Sequence, residues 1–317
     1  MLQRLRERAY LTYLARSSKP ILVGPWRSEV GFETLYWLPW LQRWRRRYNI
    51  SKDRLIAISR GGAGQWYDAA QSVDLYDYVP ADRLRKAMLK DSALKGSVKQ
   101  LAITPWEQKL IPLIAEDLGL RRYHVLHPSW MYQGWNGYWS GQVSLEKALH
   151  GVTFDPLPIP HLPLQLPLPE RYVAVRFYAR HTWPMTEELR IWTANLVDKL
   201  AARIPVVLLD PPFHADDHQD FPFSGPNILS ITPYVTLQNN LAVQSAVIAK
   251  AQAFVGTYGG TMQLAVRLRK PAMGFYKEFS GTAPQHRDLT YRIGTQQQTP
   301  VFIGRPEDAQ FVFEALV

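Results

Sequence analysis

The sequence predicts an α/β protein built of two successive units, each a parallel sheet covered on both faces by helices. Three observations carry this. A proline run, DPLPIPHLPLQLPLPE (155–170), divides the 317-residue chain near its middle. The same order of buried strand, polar or glycine loop, and helix recurs on either side of it. The charge changes at the same place: residues 1–154 hold 23 Lys+Arg against 13 Asp+Glu, a net +10, whereas residues 155–317 hold 14 of each. A chain of this length exceeds what one core commonly serves. The domains are therefore read as 1–154, a stiff extended linker over 155–170, and 171–317.

The first half opens with an amphipathic helix in which Leu2, Leu5, Ala9 and Tyr13 share a face. PILVGP (20–25) reads as a buried strand, WRSEVG as its exit loop, and FETLYWLPWLQRWRRRY (32–48) as a helix ending in a basic cluster. RLIAIS (54–59) and HVLHPS (124–129) read as further strands, with RGGAGQWY leaving the first of these.

In the second half RYVAVRFYA (171–179) reads as a strand, and TEELRIWTANLVDKLAARI (186–204) as a helix with a Thr cap and acids in its first turn. PVVLLD (205–210) and NILSIT (227–232) follow as strands, then LQNNLAVQSAVIAKA (237–251) as a helix. AFVGT, MQLAVRLR and AMGFY close the pattern as strand, helix and strand. In such sheets ligands bind beyond the carboxyl ends of the strands, and with two such domains the expected site is the cleft between them.

Composition excludes several classes. With 46% hydrophobic and 20% charged residues the chain is an ordinary globular one. No apolar run reaches the roughly 18 residues of a membrane span. The N-terminus interleaves charges and has no apolar core of a secretory signal, so a cytoplasmic location is expected. The absence of cysteine removes disulfides, iron–sulfur clusters, thiolate zinc sites and a cysteine nucleophile together. The basic half points toward an anionic partner. Nine of the eleven Trp also lie there, suited to a core, a membrane interface or a sugar platform.

Four stretches carry chemistry. In GTYGGTMQLA, Tyr258, Gly259, Gly260 and Thr261 stand between an apolar strand and a helix, where free N–H groups and the helix dipole bind anions. Arg176, in VAVRFY, is costly to bury without an anionic partner, and Arg180 follows it. GPWRSEVGFE places Glu29 and Glu33 where the first strand meets its helix; each is either a base or a capping acid. SRGGAGQWY brings Arg60 to a strand exit, where it meets a phosphate or an anionic acceptor, and HPSWMY brings His127, a further base candidate or a structural histidine. DPPFHADDHQDF (210–221) gathers His214, Asp216, Asp217, His218 and Asp220; its spacing matches no firm metal motif and it reads as a solvated loop.

These residues resemble a known group. AFVGTYGGTMQLAVRLRKPAMGFY looks like the donor-side segment of GT-B glycosyltransferases, especially heptosyltransferase-like ones. GPWRSEVGFETLYWLPWL, SRGGAGQWY, HPSWMY, YVAVRFY and NLAVQSAVIAKAQAFVGTYGG together resemble a little-characterised glycosyltransferase family of polysaccharide biosynthesis. The resemblance implies two Rossmann-like domains and sugar transfer from an activated donor, with no metal or other cofactor. It implies an N-terminal acceptor domain and a C-terminal donor domain. It makes Glu29 the first candidate for the base, with Glu33 and His127 behind it. Arg176, Arg180, Arg60 and the 258–261 turn become donor-phosphate ligands. The implied partners are a nucleotide sugar and a glycan or lipid-linked acceptor. Arg4, Arg6, Arg8, Arg43, Arg45, Arg46 and Arg47, beside Trp40 and Trp44, then either meet an anionic membrane surface or form a solvated face.

Two other readings stay open. One is a nucleotide-sugar epimerase on the same fold, which needs no acceptor. The other is a non-catalytic basic binding protein, holding nucleic acid or a partner transferase; no nucleic-acid motif supports the former.

Overall fold

The computed structural model describes residues 2–87, 99–162, 165–180, 182–213, 219–279 and 283–310. The chain divides into two compact units, Met1–Thr153 and Phe154–Val317.

In the first unit β1 (Ile21–Val23), β2 (Leu55–Ser59), β3 (Gln71–Asp74) and β4 (His124–Leu126) form a parallel sheet in the order β3-β2-β1-β4. Leu22 pairs with Ile56 on one side and Val125 on the other. Every residue of β1 and β2 is buried, as a central parallel strand covered on both faces requires. The return helix over residues 30–48 joins an α turn, Val30–Phe32, to a π-helical stretch, Glu33–Trp37, and an α segment, Leu38–Tyr48. Single π turns interrupt helices most often where a side chain has a special task.

Tryptophan fills this unit. Trp26, Trp37, Trp40, Trp44, Trp66, Trp135 and Trp139 are all buried. Trp26 stacks on Trp37 at 6.1 Å and on Tyr132 at 6.3 Å, and Tyr36 meets Trp135 edge-on at 4.9 Å. The N-terminal helix, Leu2–Arg16, buries a different face from the expected one. Leu11 and Leu14 are inside, whereas Ala9 is exposed and Tyr13 is 57% exposed. Its orientation is fixed by Tyr10, whose hydroxyl donates to Val125 O, and by Trp44, whose indole donates to Leu11 O.

The second unit has a six-stranded parallel sheet. Its strands are β5 (Val173–Arg176), β7 (Val206–Leu208), β9 (Ile228–Ser230), β10 (Ala253–Thr257), β11 (Ala272–Phe275) and β12 (Val301–Gly304), ordered β12-β11-β10-β5-β7-β9. A short antiparallel pair, β6 (Tyr178–Ala179) with β8 (Gln219–Asp220), stands beside it. Val173, Val175, Val206 and Val255 pack with Leu196, Val197 and Leu200 of the helix Glu187–Ala201, whose Thr186 accepts from Leu189 N as the expected cap. The start of the proline-rich stretch belongs to this unit: Leu157 N donates to Arg267 O, and Gln297 donates to Phe154 O.

Both sheets share one topological feature. The first strand lies inside, the chain builds outward on one side of it, and then crosses to the other. The strand order therefore reverses between β1 and β4 in the first sheet and between β5 and β10 in the second. Open parallel sheets leave a crevice beyond the carboxyl ends at such points. No helix among the described residues is long and apolar enough to cross a membrane.

Candidate functional site

At the first switch point the loop after β1 runs from Gly24 to Glu29. Gly24 has φ +129, and a Cβ there would lie 2.4 Å from Ile58 O, so only glycine fits. Trp26, Arg27 and Ser28 are buried, and two charge networks hold the loop. In the first, Arg27 Nε donates to Glu107 Oε1 at 2.9 Å and Arg27 N to Gln100 Oε1 at 3.1 Å. Gln100 Nε2 donates to Pro25 O at 2.8 Å, and Glu107 caps its own helix through Thr104. Burial works to raise the Glu107 carboxyl, but His127 and the Arg27 charge outweigh it and hold it at about 2.

In the second network Glu33, fully buried, accepts from Ser59 Oγ at 2.7 Å, Tyr67 Oη at 2.6 Å and Arg60 Nη1 at 3.4 Å. Arg60 Nη2 also donates to Ser28 O, and Tyr132 Oη to Ser28 Oγ. Burial pushes the Glu33 carboxyl up to about 7, against the Arg60 charge and the hydroxyl bonds.

Glu29 is what these networks present. It is half-buried at the end of the loop, its side chain caps no helix, and Glu33 N donates to its carbonyl at 3.2 Å. Lys99 is its charged neighbour, with Nζ 4.8 Å from the Trp139 ring centre and 5.6 Å from that of Phe32.

Three of the sequence candidates are enclosed by protein groups here. Glu33 is no solvent-facing base, because three donors enclose it. His127 is 1% exposed; Nδ1 accepts from Ser129 N, which leaves Nε2 to donate to Glu107 at 3.4 Å. Arg60 commits its guanidinium to Glu33 and Ser28 instead of a donor phosphate. All three hold the Glu29 loop from within.

At the second switch point Arg176 ends β5. It pairs in bidentate fashion with Asp220 at 2.8 and 3.1 Å, and its Nη1 reaches Gln244 Oε1 at 3.2 Å and Thr261 Oγ1 at 3.4 Å. The helix Gly260–Arg267 starts directly after β10, and its first N–H groups lack intrahelical acceptors. The Gly259 backbone is extended, with φ 169, so conformation does not demand glycine. Proximity does: a Cβ at Gly259 would lie 2.1 Å from Tyr178 Oη and 3.6 Å from Arg180 Nη1. Tyr178 and Arg180 thus lie over the turn that precedes this helix. Thr257 Oγ1 fixes Tyr178 by donating to its carbonyl at 3.1 Å and accepting from its amide at 3.0 Å.

The structure therefore brings Arg176, Arg180, Gly259, Gly260 and Thr261 together. Tyr258 joins them through its backbone alone, since its ring is buried against Phe279 and burial raises its hydroxyl. Arg176 is held by Asp220, so Arg180, a hydroxyl and a helix N-terminus stand together at one strand end, groups of the kind that bind an oxyanion. Sequence reasoning missed Tyr178 and Gln244, and took Asp220 for a loop residue; the Arg176 partner lies 44 positions away. His214, Asp216, Asp217 and His218 lie outside the described residues. Among the described residues no group of three His, Asp or Glu is placed to hold a metal.

No family model and no curated protein matches this sequence. The solved structures similar to it are glycosyltransferases. E. coli ADP-heptose lipopolysaccharide heptosyltransferase II is 14% identical, with 94% of this chain and 97% of that one covered at a TM-score of 0.49. E. coli heptosyltransferase WaaC is 13% identical over 94% of this chain and 98% of its own, at 0.41. A family 9 glycosyltransferase from Veillonella parvula is 11% identical over 95% and 89%, at 0.43. Values this low assign neither activity nor ligand to the chain.

Proposed function

We propose that the protein is a GT-B-type glycosyltransferase. It moves a sugar from a nucleotide-activated donor to a glycan or lipid-linked acceptor in bacterial polysaccharide assembly, on the cytoplasmic side of the membrane. The observation that carries this reading is the Gly259 turn, where Tyr178, Arg180 and Thr261 crowd a helix N-terminus at the switch point of the second sheet. That arrangement suits the diphosphate of a nucleotide sugar.

Glu29 takes the proton from the acceptor hydroxyl as that oxygen bonds to the anomeric carbon. The bond from that carbon to the diphosphate oxygen breaks, and the nucleoside diphosphate leaves with the electron pair. Arg180, Thr261 and the helix N–H groups receive the charge that develops, so no metal is required. A single base and one displacement invert the anomeric centre.

The test is the melting temperature of the protein with a panel of nucleotides and nucleotide sugars, since a ligand of the folded state raises it. Among similar chains WaaC was solved with ADP and TibC with ADP-heptose, so these head the panel. The expected result is a rise with one nucleotide family that disappears in Gly260→Asp and Arg180→Ala proteins. A flat response across the panel, or equal responses in the variants, overturns the reading.

A further inference from the structure

Away from both strand ends, the first unit contains a cavity of about 360 Å³ between the helices Leu2–Arg16, Leu38–Tyr48, Ser129–Trp139 and Leu145–Ala148. Three separate elements send cations to its rim: Arg8, the pair Arg43 and Arg47, and Lys147. Arg8, Arg47 and Lys147 are exposed. Its floor is apolar, with Trp44 and Trp135 each 3% exposed and Val152 at 8%.

The distribution of charge is one-sided. No carboxylate lines the cavity among the described residues, and among them Arg8, Arg47 and Lys147 form no ion pair. The helix dipole favours Arg47 in the last turn, but it does not account for Arg8, which sits mid-helix. Val152 of the 149–153 loop lines the cavity, and the loop is held by Arg46, which donates to Thr153 Oγ1.

We propose that this cavity binds one molecule of an anionic amphiphile: a phosphate monoester on an alkyl or prenyl chain. The phosphate oxygens meet the guanidinium and ammonium groups of the rim, where bidentate arginine contacts favour a dianion. The first methylenes of the chain lie against Trp44, Trp135 and Val152. A concave site of this size takes a single head and stem, unlike a basic patch lying flat on a bilayer. It is separate from Glu29: at 1.5 Å per residue, Arg43 lies about 20 Å along the helix from Val30. The inference is independent of the transferase reading, whose failure would leave it standing.

The experiment titrates dodecyl phosphate, kept below its micellar concentration, into the full chain while tryptophan fluorescence is followed. Dodecyl maltoside and inorganic pyrophosphate are titrated in parallel. The expected result is one-to-one binding of dodecyl phosphate, roughly tenfold tighter than either control. Arg47→Glu and Lys147→Glu, both surface changes, weaken it by roughly tenfold while leaving the melting temperature unchanged. Binding of pyrophosphate as tight as the amphiphile removes the apolar part of the proposal. Equal binding of the maltoside removes the anionic part. Absence of binding, or titrations unaltered in both variants, overturns it altogether.

Discussion

At the first switch point Arg27, Glu33, Arg60, Glu107 and His127 are each at most 7% exposed and pair within two networks; at the second, Arg176 and Arg180 remain half-buried near a helix N-terminus. Two sheets that share one strand-order reversal thus place their charged groups at different depths. In the first, ionic groups lie inside the protein and fix a loop, at whose end Glu29 stands half-buried. In the second, Arg176 is tied to Asp220, and Arg180 stands close to the turn that precedes a helix N-terminus. A buried ion pair contributes little net stability, because desolvation offsets attraction. Its use here is geometric: it holds a backbone that no strand or helix holds.

The largest expected effect is a break in the first network. Glu107→Gln leaves Arg27 buried without its counter-ion, and should cost about 3–5 kcal/mol in urea unfolding. Asp220→Asn at the second switch point should cost less, about 1–3 kcal/mol, because Arg176 and Asp220 are 10% and 19% exposed and water replaces the lost bond. Equal costs would erase the contrast between the two sites.

The pH dependence sharpens it within the first unit. Glu33 sits at about 7 in the folded chain against an ordinary 4.5. Between those values the native state keeps a proton that the unfolded state has lost, so its contribution falls as pH rises, by about 3 kcal/mol in all. Glu107, held at about 2, has the opposite sign: its contribution is present above 4.5 and is lost as pH falls toward 2. The stability of Glu33→Gln relative to the unaltered protein should therefore improve between pH 4.5 and 7.5. A difference that does not vary with pH would show that Glu33 is not held protonated.

In the second unit Gly259→Ala should cost about 1–3 kcal/mol, because its methyl collides with Tyr178 Oη. The double change with Tyr178→Phe should recover most of that loss. No recovery would mean that the glycine serves something other than this close approach. The smallest effect concerns Arg267, fully buried over the Phe154 ring with no hydrogen bond to its guanidinium among the described residues. Burial lowers it to about 9, and Arg267→Met should be neutral or stabilising by about 1 kcal/mol in thermal melts.

Much of the fold was legible because central parallel strands are continuous apolar runs, as in ILV, LIAIS and AFVGT. The edge strand β3, QSVD, was not, since only Val73 is buried. The helix Ala283–Gln297 and strand β12 also escaped, the helix because its sequence APQHRDLTYRIGTQQ is polar with few apolar repeats. At the candidate site, the residues that the sequence singles out adjoin a strand end: Glu29, Arg176 and the 258–261 turn. Glu107 and Gln100 could not be singled out, because they reach Arg27 across 80 and 73 positions and no local pattern records such a pairing. The burial of Glu33 and Arg60 was not legible, since an acid at a strand exit looks alike whether it meets solvent or Tyr67.

The division of labour between the two switch points is tested most directly by one comparison of three proteins. The unaltered chain, Glu29→Gln and Arg180→Ala are titrated with the nucleotide sugar that raises the melting temperature most, and nucleotide release is followed in the presence of glycan acceptors. Glu29→Gln should bind the donor as the unaltered chain does and lose about 10²–10⁴ of the transfer rate. Arg180→Ala should bind it roughly tenfold more weakly. Transfer at the full rate by Glu29→Gln, or donor binding unchanged in Arg180→Ala, would contradict the account.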